Sequence, residues 1–341
     1  MKWILHVDLD QFLAAVEKRR RPQLLEVPVV VGGSGDPTKA RQVVACASYE
    51  ARAFGVHAGM PLRAAFRKCP EAVFLPSDGP AYDEASAEVM GILRSFGLPV
   101  QVLGWDEAFA GAETADPEGL AEDIRAAIST RAGLVCSVGI GDNMLRAKIA
   151  TGFAKPAGVY RVTADNWSEL MAHRQTEALW GIGKRTAIRL QTLGISTVDH
   201  LARAEPALLA KEFGPRIGPW LGRLGQGIGG TEVDTTPREP TSRSHSTTFA
   251  SDLTDRADID AQVTALAQRV AAEVGGSRLV SRVAVTVRTA SFYTRTKIRK
   301  LDSPTSSVDA IVAAALAVLD LFPLDRPVRL LGVRVEFAHQ P

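Results

Sequence analysis

The sequence contains little cysteine, and that cysteine is not arranged for cross-linking or for binding a metal. Cys46, Cys69 and Cys136 are the three cysteines among 341 residues, and they form neither a CxxC pair nor any other metal-like spacing. Isolated thiols of this kind are typical of the core of a protein from a reducing compartment. The composition therefore argues against a disulfide-stapled secreted domain and against a cysteine-ligated metal centre.

Long apolar runs are absent as well. In the N-terminus, MKWILHVDLD, only five residues separate Lys2 from the acid Asp8, which is too short for the apolar part of a signal peptide. No stretch of about 18 apolar residues, the length expected of a membrane-spanning helix, occurs in the sequence. We expect a soluble, cytoplasmic protein that makes no membrane contact.

A strong net charge is also missing, but the charge is unevenly distributed. The formal net charge is +2, whereas residues 278–300 contain seven Arg or Lys and no acid. Charged residues on an edge strand can simply prevent it from pairing with another chain, but one or two lysines are enough for that purpose. A block of cations without acids is better suited to binding the phosphate backbone of a nucleic acid. Strand alternation predicts one face with Val283, Val285 and Val287, and a polar face with Arg282, Ala284, Thr286 and Arg288, continued on the next strand by Arg295, Lys297 and Arg299.

Two apolar strands carry acids, which is unusual. Asp8 lies in WILHVDLD (3–10), and Asp106 and Glu107 lie in GWDEAFAG (104–111). A buried ionised acid is costly unless it is paired, hydrogen-bonded or bound to a metal. Single acids are more often surface ion-pair residues, but three acids on two neighbouring strands suit Mg²⁺ held together with substrate phosphates. This pattern predicts phosphoryl or nucleotidyl transfer, with Asp10 as the cap of the next helix.

The order of predicted elements indicates an α+β protein of several domains. Without an insert from strand 27–33 to about residue 77, the first half has the order β-α-β-β-α-β of the split βαβ, ferredoxin-like arrangement, which would place strand 2–9 beside the strands around Asp106. Residues 164–232 are predicted to be helical, with glycine turns at GIGKR (181–185) and FGPRIG (213–218). The segment 230–243 has the composition of a linker, and the order β-α-β-β-α-β then repeats without the acids.

Several cations are placed to bind phosphate. Tyr49 and Arg52 of SYEAR are three residues apart at the start of a helix and can reach the same anion. Lys148 and Lys155 flank the helix end FAKPAG, where Pro156 and Gly158 should end the helix. Together with the acids, Lys155 would complete a triphosphate clamp. Turns such as GIGKR also present backbone N–H groups to phosphate, although each turn alone could be an ordinary helix connector.

At this point the motifs resemble a known family. HVDLDQF, ASYEARAFGVHAGMP, GWDEAF, SVGIGDN, RAKIATGFAKPAG and LWGIGKRTAIRLQTLGI resemble, in order and spacing, the motifs of Y-family translesion DNA polymerases of the DNA polymerase IV (DinB) branch. The resemblance extends from residue 3 to about residue 338. It implies a right-handed polymerase with a ferredoxin-like palm at 1–10 and 78–163, small fingers at 11–77, a helical thumb with helix-hairpin-helix turns at 164–230, a linker at 231–241 and a β-α-β-β-α-β little finger at 242–341.

The resemblance also implies roles for particular residues. Asp8, Asp106 and Glu107 would be the catalytic carboxylates, and together with the Leu9 carbonyl they would hold two Mg²⁺ ions, for which Mn²⁺ could substitute. Tyr49, Arg52 and Lys155 would grip the triphosphate, and the small residues Ala45 and Gly59 would lie over the nascent base pair. The full predicted nucleotide site is Leu9, Asp10, Gln11, Phe12, Leu13, Val43, Ala45, Tyr49, Arg52, Gly59 and Lys155. The predicted DNA contacts are Gly181, Gly183, Lys184, Arg185, Gly214, Arg216, Arg243, Ser244, Arg282, Arg288, Arg295, Lys297 and Arg299.

Two features depart from the family pattern. Similar enzymes usually have Tyr or Phe at the position of Leu13, where the ring blocks the ribose 2′-OH, so a leucine sugar gate predicts poor discrimination against ribonucleotides; alternatively, Leu13 packs in the core and discrimination comes from elsewhere. Many relatives carry a C-terminal sliding-clamp peptide, whereas this chain stops at VEFAHQP, which argues against a clamp partner. LDLF at 319–322 looks similar to such a peptide but is expected to belong to the core.

The predicted activity is template-directed, low-fidelity addition of dNTPs, and also of rNTPs, to a primer 3′-OH with release of pyrophosphate by a monomer. Primer-template DNA and the nucleotides are the expected partners. A nucleotidyl cyclase can use a similar palm but has no use for the thumb turns or for the acid-free block at 278–300, here called the basic hairpin. A DNA-binding bypass scaffold with an inactive palm would be expected to lack at least one carboxylate, and all three are present.

Overall fold

The computed structural model describes residues 1–237, 239–275 and 278–338, and the chain divides into two compact units. The first unit comprises Met1–Pro37 and Gln42–Thr236, and the second comprises Thr38–Arg41 and the chain from Pro237 onward. The predicted palm and thumb fall within the first unit, as do the predicted fingers apart from Thr38–Arg41, and their individual boundaries stay predictions. Among the described residues, no helix is long and apolar enough to cross a membrane.

The first unit is a mixed α+β body. Its strands are β1 (Lys2–Leu9), β2 (Val29–Val31), β3 (Cys46–Ala47), β4 (Val73–Leu75), β5 (Val100–Val102), β6 (Glu107–Glu113), β7 (Cys136–Gly141) and β8 (Val159–Val162). Its helices are α1 (Phe12–Arg20), α2 (Tyr49–Ala53), α3 (Leu62–Lys68), α4 (Gly79–Arg94), α5 (Pro117–Ala132), α6 (Met144–Ala154), α7 (Ala164–Met171), α8 (Lys184–Thr192), α9 (Val198–Ala202), α10 (Pro206–Phe213) and α11 (Ile217–Gly225).

The large sheet of this unit has the predicted ferredoxin-like arrangement. Its strands lie in the order β5-β6-β1-β7-β8, so that β1 is central, between β6 and β7. Leu5, Val7 and Leu9 of β1 belong to a core that also includes the predicted apolar face of α4, with Tyr82 and Leu93 fully buried. Helix α6 covers part of the opposite face, where Ala147 packs with Ile4 and Phe109. The acid-bearing end of β1 therefore lies in the middle of the sheet.

The insert between β1 and α4 forms a small sheet of its own. Its strand order is β3-β2-β4, and a separate apolar core includes Val30, Val44 and Leu62. The strand predicted at 42–48 is regular only at Cys46–Ala47, because the preceding residues make little more than an isolated bridge from Val43 to Pro61. The helices that follow β8 bury a third core that includes Trp167, Leu190 and Leu221, as the predicted all-helical segment requires.

A close approach between β7 and α6 depends on Gly139. A Cβ atom at this position would lie 2.1 Å from the carbonyl oxygen of Ala147 and 2.3 Å from the amide nitrogen of Thr151. These are backbone atoms of α6, so the helix would have to move away from the sheet. The absent side chain is therefore what lets α6 lie directly on the strand beside β1.

We expect Gly139→Ala to lower the free energy of unfolding by about 3 kcal/mol, because it overpacks a backbone contact that cannot relax by rotating a side chain. Gly152→Ala is the matched control, since Gly152 lies in the same helix with open space around its Cα. That control should stabilise the protein by about 0.5–1 kcal/mol through helix propensity. Urea denaturation of both variants measures the difference, and equal stability of the two would contradict the close packing.

The second unit has the predicted order β-α-β-β-α-β. Its elements are β9 (Ser242–Leu253), α12 (Arg256–Val274), β10 (Val280–Thr289), β11 (Thr294–Thr305), α13 (Val308–Leu319) and β12 (Val328–Phe337). The antiparallel strands lie in the order β11-β10-β12-β9, so the first strand occupies an edge rather than the centre. Leu319 and Phe322 of the LDLF segment are buried in the core of this unit, whereas Leu321 is 53% exposed.

The predicted polar face of the basic hairpin is wrong in one respect. Cross-strand partners point to the same face of a sheet, and Val283, Val285 and Val287 are paired with Arg299, Lys297 and Arg295, respectively. Those three cations therefore lie on the face that packs against the helices. The open face instead carries Ser244, Arg282, Ala284, Thr286, Arg288, Thr294, Thr296, Ile298, Lys300, Arg334 and the acid Glu336, which is ion-paired with Arg282 and Arg334.

Arg243 is another exception among the predicted contacts. It pairs with the buried Val335 and so lies on the helix-packed face, although it is itself exposed. The prediction joined the cations of β10 and β11 into one face because composition does not reveal the pairing register. A shift of one residue in register moves a whole set of side chains to the opposite face.

Candidate active site

The predicted carboxylates meet where β1 ends and β6 begins. Asp8 lies directly opposite Glu107 in the antiparallel pair, and the Leu9 N–H donates to the carbonyl oxygen of Asp106 at 2.8 Å. Side-chain ligand atoms of His6, Asp8 and Glu107 lie within 4.8 Å of one another. Asp106 is not in that group: it precedes β6 and lines an adjacent cavity with Leu9 and Lys155. The three predicted acids are therefore neighbours, and the closest cluster includes an unpredicted histidine.

Two lysines face these acids. The Lys155 Nζ atom lies 2.5 Å from the Asp8 Oδ1 atom, and the Lys148 ammonium donates to the Glu107 carboxylate. The hydrogen bond from His6, together with Lys148, lowers the pKa of Glu107 to about 2. Burial raises the pKa of Asp106, and the negative charge of Asp8 adds to this effect. The site thus places several carboxylates close together, and the ammonium groups of Lys148 and Lys155 partly balance their negative charge.

His6 connects the acids to α6 and was missed by the sequence reasoning. It is 1% exposed; its Nε2 atom lies 3.2 Å from the Glu107 Oε2 atom, and its Nδ1 atom lies 2.8 Å from the Thr151 hydroxyl. Burial lowers the pKa of His6, which favours the neutral ring. A tautomer with its proton on Nε2 donates to Glu107, whereas one with its proton on Nδ1 donates to the Thr151 hydroxyl and accepts from Lys148. Strand alternation was the available signal, because His6 precedes Asp8 by two residues and therefore shares its face.

A cavity of about 240 Å³ gathers most of the predicted nucleotide site. Its predicted lining residues are Leu9, Gln11, Phe12, Leu13, Ala45, Arg52, Asp106 and Lys155. Cys46, Ala58 and Trp105 also line it and had not been predicted. Leu13 is partly buried, contacts the core of the large sheet and also forms part of the cavity wall. Val43, Tyr49 and Gly59 do not line this cavity.

The prediction that Asp10 caps a helix is wrong. Helix α1 is preceded by Gln11 in a left-handed conformation without a side-chain cap. The Asp10 carboxylate is 2% exposed and accepts hydrogen bonds from the Ser137 hydroxyl at 2.9 Å and the Ala157 N–H at 2.7 Å. The buried Asp10 side chain thus links the end of β1 to β7 and to the segment after α6 through hydrogen bonds. It is not among the residues that line the cavity.

Tyr49 and Arg52 are held together at the start of α2. Ser48 caps this helix, and the Tyr49 N–H donates to the Gln11 side chain at 2.6 Å. The Arg52 guanidinium lies 5.2 Å from the centre of the Tyr49 ring, and its Nε atom donates to the Ala47 carbonyl at 2.9 Å. Burial, with a contribution from the charge of Asp10, raises the pKa of Tyr49, so its hydroxyl stays protonated. The Tyr49 hydroxyl therefore remains a hydrogen-bond donor near neutral pH.

The predicted thumb turns are exposed. Gly183 is the residue before α8, so the N–H groups of Lys184 and Arg185 lie in the first turn of a helix, where backbone donors lack intrahelical partners. Gly181 has a φ of 100°, and a Cβ atom there would lie 2.8 Å from the Trp220 ring. Gly214 ends α10 with a φ of 89°, and Arg216 is exposed shortly after it. Glycine is thus required at both turns by the backbone.

Comparisons with known proteins find relatives that match this sequence along almost its whole length. The model of the impB/mucB/samB family matches residues 7–152, and the model of that family's C-terminal domain matches residues 240–339. DNA polymerase IV 2 of Mycobacterium tuberculosis (strain ATCC 25618 / H37Rv) is 59% identical, covering 99% of this chain and 98% of that protein. DNA polymerase IV of Methanoculleus marisnigri is 38% identical, covering 97% of this chain and 93% of that protein.

Solved structures of Y-family polymerases also match this chain over nearly its whole length. A chimera of the Y-family polymerases Dbh and Dpo4 matches with a TM-score of 0.87 and 26% identity, over 98% of each chain. DinB from Sulfolobus solfataricus matches with a TM-score of 0.62, also at 26% identity and over 98% of each chain. The chain belongs to the impB/mucB/samB family, and it is a DNA-directed DNA polymerase of the translesion Y-family, of the DinB type.

Proposed function

We propose that this polymerase is metal-dependent and of low fidelity, and that it accepts ribonucleotides as well as deoxyribonucleotides. The observation that carries the proposal is the cavity beside the carboxylates, where Asp106, Lys155 and Arg52 meet the aliphatic side chain of Leu13. In this cavity the two cations would bind the phosphates of a nucleoside triphosphate, the acid would hold a metal ion, and the small apolar wall would contact the sugar.

The donor set fits a divalent metal. Asp8, Asp106 and Glu107 supply hard carboxylate oxygens of the kind Mg²⁺ prefers, and the Leu9 carbonyl lies at the same strand end. Burial, with the charge of Asp8, raises the pKa of Asp106, and lysines pair with Asp8 and Glu107, so a bound cation would stabilise the ionised carboxylates. Bound Mg²⁺ would lower the pKa of a primer 3′-OH and neutralise developing charge on the phosphates.

The chain's own residues would bind and orient the nucleotide. Arg52 and Lys155 line the cavity and carry fixed positive charge, so we assign them to the triphosphate. Tyr49 does not line the cavity and its hydroxyl is buried, so we assign it to holding Arg52 in place, with the Arg52 guanidinium 5.2 Å from the centre of its ring. Ala45 and Ala58 present only small side chains to their part of the cavity wall, which would tolerate a damaged or mispaired base there. This lack of bulk is the basis for the proposed low fidelity.

Surfaces for primer-template DNA are proposed in both units. In the first unit, the turns at Gly181–Arg185 and at Gly214–Arg216 would contact backbone phosphates through N–H groups and cations. In the second unit, the open sheet face would bind DNA through Ser244, Arg282 and Arg288, joined by the unpredicted Lys300 and Arg334. Arg243, Arg295, Lys297 and Arg299 lie on the other face and are not part of that surface.

Removal of metal tests the proposal. We expect a protein dialysed against a chelator to lose extension of a labelled primer, and expect Mg²⁺ or Mn²⁺, but not added monovalent salt, to restore it. Binding of the primer-template should survive dialysis, as measured by fluorescence anisotropy. Undiminished extension in excess chelator would refute metal dependence. Intact binding without extension under any metal would instead favour the inactive bypass scaffold.

His6 should act by positioning Glu107. We expect His6→Ala to lower kcat by about ten- to a hundredfold, because a metal-ligating carboxylate loses the partner that orients it. His6→Gln, which can still donate a hydrogen bond, should recover part of the rate. Single-turnover incorporation gives kcat and KM separately, and thermal melting reports any loss of stability. A purely structural role predicts that both variants lose stability together with no separate effect on kcat.

A further inference from the structure

The β10–β11 hairpin ends in two adjacent exposed aromatic residues. Phe292 is 62% exposed and Tyr293 is 52% exposed. Phe292 also has a φ of 62°, in the left-handed region that bulky residues rarely adopt. Such backbone conformations persist only where the surroundings fix them, and they cluster at functional sites. Two exposed rings on a strained backbone need an explanation.

The backbone of this tip is firmly held. The Thr289 N–H donates to the Tyr293 carbonyl, and the Phe292 N–H donates to the Thr289 carbonyl, both at 2.9 Å. The Ala290 N–H donates to the carbonyl of Pro327, in the segment before β12, also at 2.9 Å. The rings are thus presented by a fixed turn, so their exposure is a property of the fold.

Each ring is accompanied by an arginine. The Arg329 guanidinium lies 4.4 Å from the centre of the Phe292 ring, and that of Arg295 lies 5.5 Å from the centre of the Tyr293 ring. At the observed exposures, much of each ring's surface stays accessible. The tip therefore offers flat aromatic surfaces directly beside fixed positive charges.

A cavity of about 370 Å³ adjoins Tyr293. Its apolar lining includes Val287, Phe322, Leu324 and Val328. Its charged lining consists of Arg295, Lys297 and Arg326 with a single acid, Asp325. Lys297 is fixed there, since its ammonium donates to the Leu321 carbonyl and lies 5.0 Å from the centre of the Phe322 ring. The cavity is an apolar recess with a predominantly cationic rim.

We infer that the hairpin tip and this recess, here called the aromatic cleft, bind unpaired nucleotides of single-stranded DNA. An unpaired nucleotide combines a flat base face with a phosphate, which matches aromatic rings flanked by cations. A duplex hides its base faces in the stack, so the cleft should prefer single strands. An acidic peptide could use the same cations but would have no need of two exposed rings.

The aromatic cleft is separate from the open sheet face proposed for primer-template DNA. Arg295 and Lys297 point to the helix-packed face, opposite to Arg282 and Arg288. The two surfaces can therefore be changed independently. Because the cleft contains no carboxylate cluster and lies outside the nucleotide cavity, variants of its aromatic residues should leave single-nucleotide incorporation unchanged.

Binding of a fluorescein-labelled oligothymidylate to the full chain tests the inference. We expect Phe292→Ala with Tyr293→Ala to weaken binding about tenfold, since base stacking on aromatic side chains contributes that much. The matched control, Phe292→Tyr with Tyr293→Phe, should bind like the wild type. Asp325→Asn should strengthen binding two- to threefold by removing the one acid on the rim. Affinity for a blunt duplex should not change in any of the three.

Crosslinking gives the position of the contact. Irradiation of a 5-iododeoxyuridine oligonucleotide bound to the wild type should attach it to Phe292 or Tyr293, as mapped by mass spectrometry of the digest. Crosslinks confined to other residues, or equal oligothymidylate affinity of the double alanine variant and wild type, would overturn the inference. Displacement of the oligonucleotide by polyglutamate as effective as that by unlabelled oligothymidylate would also overturn it, and would identify the cleft as a site for an acidic peptide.

Discussion

Replacing Asp106 with alanine should reduce primer extension by about a thousandfold or more, while binding of the primer-template stays intact. Asp106 lines the nucleotide cavity, and its raised pKa reflects burial and the nearby charge of Asp8. The variant keeps the fold because Asp106 makes its strand contact through the backbone carbonyl to the Leu9 N–H. The loss should therefore appear in catalysis rather than in stability.

The control for this substitution is Asp123→Ala, which removes an exposed acid from α5 in the same unit. It should extend primers like the wild type. Quantitative gel analysis of a single incorporation, with thermal melting of both variants, separates chemistry from folding. A variant at Asp106 that retains more than about a tenth of the wild-type rate would show that this acid is not part of the catalytic site.

Leu13→Tyr should raise the preference for dNTPs over rNTPs by roughly several hundredfold, which corresponds to about 3–4 kcal/mol. Leu13 forms part of the wall of the nucleotide cavity, and its aliphatic side chain covers less space than a ring would. A tyrosine ring there would clash with a ribose 2′-OH, which excludes the ribonucleotide by repulsion rather than by attracting the deoxyribonucleotide. The change should appear mainly as weaker rNTP incorporation.

Leu25→Tyr is the matched control, because Leu25 is 58% exposed and does not line the cavity. Single-nucleotide kcat/KM values for a dNTP and the corresponding rNTP give the ratio directly. Leu13 also contacts the core of the large sheet. An unchanged ratio in Leu13→Tyr would therefore mean that Leu13 is a packing residue and that another feature selects the sugar.

Element order was predictable from the sequence in both units, but strand neighbours were predictable only in the first. Once the insert is left out, the first unit begins with the order β-α-β-β-α-β, which the second unit repeats, and the periodicity of apolar residues was enough to show this. In the first unit β1 is central, whereas in the second the corresponding strand β9 lies at an edge. In the first unit, β1 was predicted to lie beside the strand that carries Glu107, because the acids of these two strands were expected to share one metal site. No such constraint existed for the second unit, and the faces of its basic hairpin were misassigned.

The acids of the site were predictable because ionised groups are rare in apolar strands. Their supporting partners were not, since His6, Thr151 and Ser137 are common in protein cores and gain significance only through long-range contacts. His6 and Thr151 meet across 145 positions of sequence at 2.8 Å. Asp10 was misassigned for the same reason: its position before a helix favoured a cap, but its partners come from β7 and from the segment after α6.

The most direct test of the central claim is extension of a labelled DNA primer on a DNA template by the wild-type protein, with dNTPs and rNTPs in parallel reactions containing Mg²⁺. The account predicts extension with both nucleotide sets, with ladders of comparable length, because Leu13 leaves the sugar weakly selected. Extension with dNTPs alone would contradict the leucine gate. No extension, despite intact primer-template binding, would contradict the proposed assembly of Asp8, Asp106 and Glu107 into a catalytic site.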